Sequence, residues 1–232
     1  MQTYQIPGTN KEIVEVKGPF DKCIDALVRG KAELTSCVQL AKARIKFGAK
    51  HSVSTNGSWT GENFNYLPNT VNYLPNTDDI LVAKAKYNPI LQDPKEAIHC
   101  RNMGFQFYVN KKTLDQLQDL AKRNPADAIK SGVLLLKEKD LVPISTSHPE
   151  SNKLGVFLYE NQLKPYCDFC RKEQEIELID VCLAGRRSIP FATLLRVHDL
   201  NGSSLLDGQN HDLRSDFRAY GLRNVPNLSS KV

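Results

Sequence analysis

Short apolar runs punctuated by Gly and Pro alternate along this chain with stretches of helical period. Ile13, Val14 and Val16 follow Lys11-Glu12 and are closed by Gly18-Pro19, which predicts a strand over 11–17. Cys23, Ile24, Leu27 and Val28 then fall on one side of a predicted helix over 20–29. Leu34, Cys37, Val38, Ala41 and Ile45 make the stripe of a longer one over 32–47, stopped by Gly48. Further strands are predicted at 80–87, 104–109, 133–137, 154–159 and 175–182. Asn110 is placed to cap a helix that carries Leu114, Leu117 and Leu120 and ends near Asn124-Pro125. Leu194-Leu195-Arg196-Val197 reads as a strand, and the segment through Phe217 and Tyr220 as helix-like. This irregular alternation predicts an α+β fold, with a mixed or antiparallel sheet and several packed helices, rather than a doubly wound sheet.

Residues 51–79 break the pattern. They are polar, carry the sole Trp (Trp59), and contain a tandem repeat: Asn65-Tyr66-Leu67-Pro68-Asn69-Thr70 recurs as Asn72-Tyr73-Leu74-Pro75-Asn76-Thr77. One repetition at this short offset is a local duplication and not a solenoid. A long exposed loop that tolerates insertion is the expectation, with its aromatic residues either stacking on a ligand or anchoring it. The polar run from Ser145 to Ser151 divides an α+β body (1–150), carrying the basic helix 32–47, from a smaller C-terminal subdomain (151–232); a long loop within one domain explains the same run.

The net charge of +5 raises the expectation of a polyanionic partner without fixing one. Lys42, Lys46 and Lys50 line one helix face, with Arg44 beside them, as a phosphate-tracking helix or a solvated face would have them. No apolar run reaches the length of a bilayer span, and the N-terminus lacks the basic start and apolar stretch of a signal peptide, so a cytoplasmic protein outside the membrane is expected. Six cysteines in such a chain read as thiols rather than three disulfides. Self-association as a homodimer is left open.

The most specific chemistry is Tyr166-Cys167-Asp168-Phe169-Cys170. Two cysteines two residues apart can place both sulfurs on one zinc ion, with Cys182 third and His211 or His198 fourth. Two unliganded thiols or a redox dithiol fit the same motif. Downstream, His198-Asp199-Leu200-Asn201 ends a strand-like run, a Gly/Ser/Asp turn follows, and Asn210-His211-Asp212 precedes the helix-like segment. A cysteine pair upstream of such a hairpin resembles the HNH endonucleases over at most about the last 65 residues, although the acid-then-His dipeptide and a second cysteine pair are missing. The resemblance implies a Mg²⁺-dependent phosphodiester hydrolase acting on DNA or RNA. His198 would be the general base, and Asp199 or Asn210 would hold the cation or orient the base. Arg186, Arg187, Arg214 and Arg218, with Lys42 and Lys46, would bind phosphates.

Other chemistries fit less well. Glu15-Val16-Lys17 has the form of half a restriction-endonuclease-like site but lacks an acid on a preceding strand. A kinase-like reading of Lys84, His198-Asp199 and Asp216-Phe217 fails for want of a glycine loop near Lys84, and no Gly-x-Ser-x-Gly elbow occurs. A small-molecule enzyme with its site near Trp59 and Tyr66 has no chemical motif behind it. The competing expectation from another class is a non-enzymatic module, clipped by the cysteines, that binds nucleic acid or a protein.

Overall fold

The structure is a computed structural model, which describes residues 1–66, 80–95, 107–184, 190–201, 204–209 and 211–225. Its frame is a mixed sheet whose main path runs β1-β2-β12-β4-β10-β11-β9-β8. The strands on that path are β1 (Gln2–Gln5), β2 (Lys11–Gly18), β4 (Ser58–Tyr66), β8 (Ile144–Ser145), β9 (Leu178–Leu183), β10 (Phe191–Val197), β11 (Ser204–Gly208) and β12 (Phe217–Asn224). Off the path, β3 (Glu33–Leu34) pairs with β12, β5 (Ile80–Ala83) bridges β4 to β7 (Val133–Leu136), and β6 (Phe107–Tyr108) pairs with β10. Most neighbours are antiparallel; β11 runs parallel to β9. The expected α+β class with a mixed sheet is the observed one. Strands from both sides of residue 150 share the sheet, with β12 lying between β2 and β4.

Helices cover both faces. On one side lie α2 (Cys37–Phe47) and, later in the chain, Lys153–Tyr159 and Leu163–Gln174; their apolar side chains join Phe64, Tyr66, Leu195, Val197 and Leu206 in one core cluster. On the other side, Leu114, Leu117 and Leu120 of the helix Lys111–Ala121 join Phe20, Trp59, Leu81 and Leu194 in a second. A smaller cluster under α1 (Phe20–Arg29) packs Cys23 and Leu27 on Val14, Val16 and Ala219.

Three sequence expectations need correction. The long exposed loop does not hold for its described part: Ser52–Thr55 is a helical turn and Ser58–Tyr66 is a central strand buried along its whole length. β4 is polar in composition yet covered on both faces, so its alternation of Thr60, Glu62 and Phe64 on one side with Trp59 and Asn63 on the other reads as loop chemistry. Residues 67–79 lie outside the described residues. Lys153–Tyr159 is a helix capped by Asn152, not a strand, and Phe217–Asn224 is a strand, not a helix. In both segments the apolar run is too short for its period to decide, and tertiary partners do.

Arg44, read from sequence as lying beside the cationic helix face, is fully buried. Its Nε donates to Val53 O (3.0 Å), Nη1 to the Tyr166 hydroxyl (2.8 Å), and Nη2 to Asn56 O (3.1 Å) and His198 O (2.7 Å). One guanidinium fork thereby ties α2, the segment before β4, the helix Leu163–Gln174 and the turn after β10.

Candidate functional site

Strand register brings together side chains far apart in sequence. Trp59 on β4 pairs with Arg196 on β10, Arg196 with Asp207 on β11, and Asp207 with Cys182 on β9, so the four form a row across one face of the sheet. Asp207 is the hub and is almost fully buried. Its Oδ2 lies 2.9 Å from His198 Nε2 and 2.6 Å from His211 Nε2, and its Oδ1 accepts from the Gln209 backbone N–H at 2.9 Å. An ionised carboxylate only accepts, so each imidazole presents Nε2–H to it. Burial by itself pushes the Asp207 carboxyl upward. The hydrogen bonds from His198, His211 and the Gln209 N–H outweigh burial and hold the group well below the usual carboxylate range.

Each histidine belongs to a different connection. His198 begins the turn between β10 and β11, and its backbone N–H donates to Leu205 O. His211 sits in the loop that follows β11, and its ring packs edge-on to Trp59 and Phe217. The Arg196 guanidinium lies over the Phe217 ring, 4.7 Å from its centroid. Gly57 makes room for it: a Cβ there would stand 2.9 Å from Arg196 Nη2. The Gln209 amide donates to Cys182 Sγ at 2.9 Å. The arrangement anchors two loops through one carboxylate.

Sequence reasoning named His198 and His211 but not Asp207, which joins them. Its signal is an acid inside the apolar run Leu205-Leu206-Asp207-Gly208, lying between the two histidines in the chain. Asp199 stays in the turn, its Oδ1 3.5 Å from Asn201 N. Asn210, Arg186 and Arg187 lie outside the described residues. Arg214 pairs with Asp212 at 3.6 Å. Arg218 crosses from β12 to β2, where its Nε donates to Glu15 at 2.7 Å. Lys42 and Lys46 line a groove elsewhere on the molecule, whose walls include neither histidine. The expected phosphate-binding set is therefore dispersed over its described members.

The expected zinc ligands are not assembled either. Cys167 and Cys170 are buried on the helix Leu163–Gln174, where burial pushes their thiols up to about 12 and about 11. Cys182 takes the Gln209 amide and His211 takes Asp207. Among the described residues no group of three or more His, Cys, Asp or Glu side chains is placed to hold a metal ion, which corrects the metal-binding expectation. Nor, among them, is any helix long and apolar enough to cross a membrane.

No protein-family model matches the chain, and no curated protein matches it. Among solved structures it is similar to a protein described under "Accommodation of massive sequence variation in Nanoarchaeota by the C-type lectin fold". The TM-score is 0.65 at 13% identity, over 94% of this chain and 100% of that one. The likeness is one of fold. It overturns the expected endonuclease and its DNA or RNA partner. The HNH-like reading required a C-terminal hairpin leading into a helix, whereas Phe217–Asn224 is an inner strand of the sheet. Over nearly its whole length, the chain is similar in fold to a C-type lectin fold protein.

Proposed function

We propose that the chain is a non-enzymatic binding module that engages a protein ligand. The observation that carries this reading is the near full-length likeness to a C-type lectin fold protein whose fold accommodates massive sequence variation. Such a fold separates a fixed interior from a substitutable surface, and the interior polar contacts of this chain suit that division. Arg44, Asp207 and Glu62 are buried and committed to internal partners, so they hold loops in place and leave recognition to exposed side chains. The free thiols of Cys23, Cys37, Cys167, Cys170 and Cys182 suit a reducing compartment such as the cytoplasm.

The test is to pan the immobilised full chain against a displayed protein and peptide library, with a glycan array in parallel. Saturable retention of protein ligands that are recovered chemically intact is the expected result. Retention of glycans alone, or recovery of cleaved ligand, would overturn the reading.

A further inference from the structure

The surface away from the His–Asp–His cluster carries a groove of about 790 Å³ between the β1–β2 turn, the outer face of α2 and the start of the helix Leu163–Gln174. Its chemistry follows from helix geometry. Cys37, Leu40, Ala41 and Arg44 turn inward from α2, so Gln39, Lys42 and Lys46, at spacings of three and four, share the outward stripe. Lys11 enters from the opposite wall, at the first residue of β2. Ile6, Ile45 and Leu222 supply aliphatic surface between the lysines, and Gln162 closes one side.

Two further observations give the groove a ligand preference. The first is charge. No carboxylate lines the groove, and among the described residues no acid lies within ion-pair distance of Lys11, Lys42 or Lys46. The acids of the adjoining strand are already taken: Glu12 pairs with Arg223 and Glu15 with Arg218. Three exposed lysines thus line one concavity, and among the described residues none of them is ion-paired. The second is rigidity. The turn wall is held by Thr9 Oγ1 donating to Ile6 O (3.0 Å), by the Gln5 amide donating to Thr9 O (2.7 Å), and by the Val225 N–H donating to Asn10 O (2.8 Å). A wall fixed before binding loses little freedom on binding.

We propose that this groove binds an acidic, aliphatic-containing peptide segment of the partner protein, an assignment that rests on the binding-module reading above. Lysines on flexible stems match carboxylates spaced along a chain. The carboxamides of Gln39 and Gln162 can both donate to and accept from a peptide backbone. Ile6, Ile45 and Leu222 offer aliphatic rather than aromatic contact, which suits Leu or Val side chains better than the flat faces of sugar rings.

The experiment is a fluorescence-anisotropy titration of the full chain with a labelled peptide of alternating Glu and Leu. The controls are the same peptide with Gln for Glu and a sulfated oligosaccharide of equal charge. The expected result is saturable binding of the Glu peptide, weakened by added salt. The Gln peptide, and the Glu peptide on the double variant Lys42→Glu/Lys46→Glu, should each bind at least about tenfold more weakly. Lys50→Glu, a charge reversal just beyond α2 and outside the groove, should bind within about twofold of wild type. Equal binding to the double variant, or preference for the sulfated oligosaccharide over the peptide, overturns the groove assignment. If protein ligands recovered by panning bind the double variant as well as wild type, the groove assignment fails while the binding-module reading stands. If panning recovers none, that reading fails by itself. Both lysines are exposed, so the reversals leave the core intact, and an unchanged melting temperature verifies it.

Discussion

At the scale of single residues, the buried polar groups decide most. Asp207 has its folded pKa held below the unfolded value, so it contributes stability that is fully present above the unfolded pKa near 4. That contribution is lost as pH falls from about 5 through the folded value. Asp207→Asn is expected to cost about 2–4 kcal/mol at neutral pH and to flatten this acid limb, measured by urea unfolding across a pH series. Arg44→Met leaves the Tyr166 hydroxyl and three backbone carbonyls without their donor, and about 3–5 kcal/mol of destabilisation is expected in the same assay. Thiol labelling followed by peptide mapping should find Cys182 modified before Cys23, Cys37, Cys167 and Cys170, because the other four are buried. His198 and His211 were legible in the sequence as a pair worth inspecting. Asp207 and Arg44 were not, because a charged residue in an amphipathic run looks solvated until its neighbours in space are known.

At the scale of elements, boundaries set by local chemistry were readable and those set by tertiary cover were not. Asn110 caps the helix Lys111–Ala121 by accepting from the Thr113 N–H, and Gly18-Pro19 does end β2. β4 escaped notice because Thr60, Glu62 and Asn63 are buried by neighbours that no local window contains. The duplicated hexapeptide begins on β4 at Asn65, and β4 pairs with β5 from Asn63↔Ala83 to Tyr66↔Ile80. Deleting Val71–Thr77 shortens the connection between these strands from thirteen residues to six. Loop-closure entropy changes slowly with length, so the deletion is expected to shift stability by less than about 1 kcal/mol, read from thermal melts. A larger loss would mean that the second copy contributes contacts of its own. Gly57→Ala, by contrast, crowds the Arg196 guanidinium and is expected to cost about 1–3 kcal/mol despite its small size.

At the scale of the whole molecule, the α+β class was legible from the mixture of periods, and the C-type lectin-like topology was not. Topology resides in pairings such as β2 with β12, where Lys11 meets Asn224 and Gly18 meets Phe217 across nearly the full length of the chain. That pairing has a temporal side. On a ribosome adding about 5–20 residues per second, β2 would wait roughly 10–40 s for its inner neighbour to be made. Throughout that interval β2 exposes the edge that β12 will fill, so the nascent chain is a substrate for chaperones that shield unpaired strands. A chain stopped after Asp216 should remain in that state indefinitely: soluble only with a chaperone, and without a cooperative melting transition.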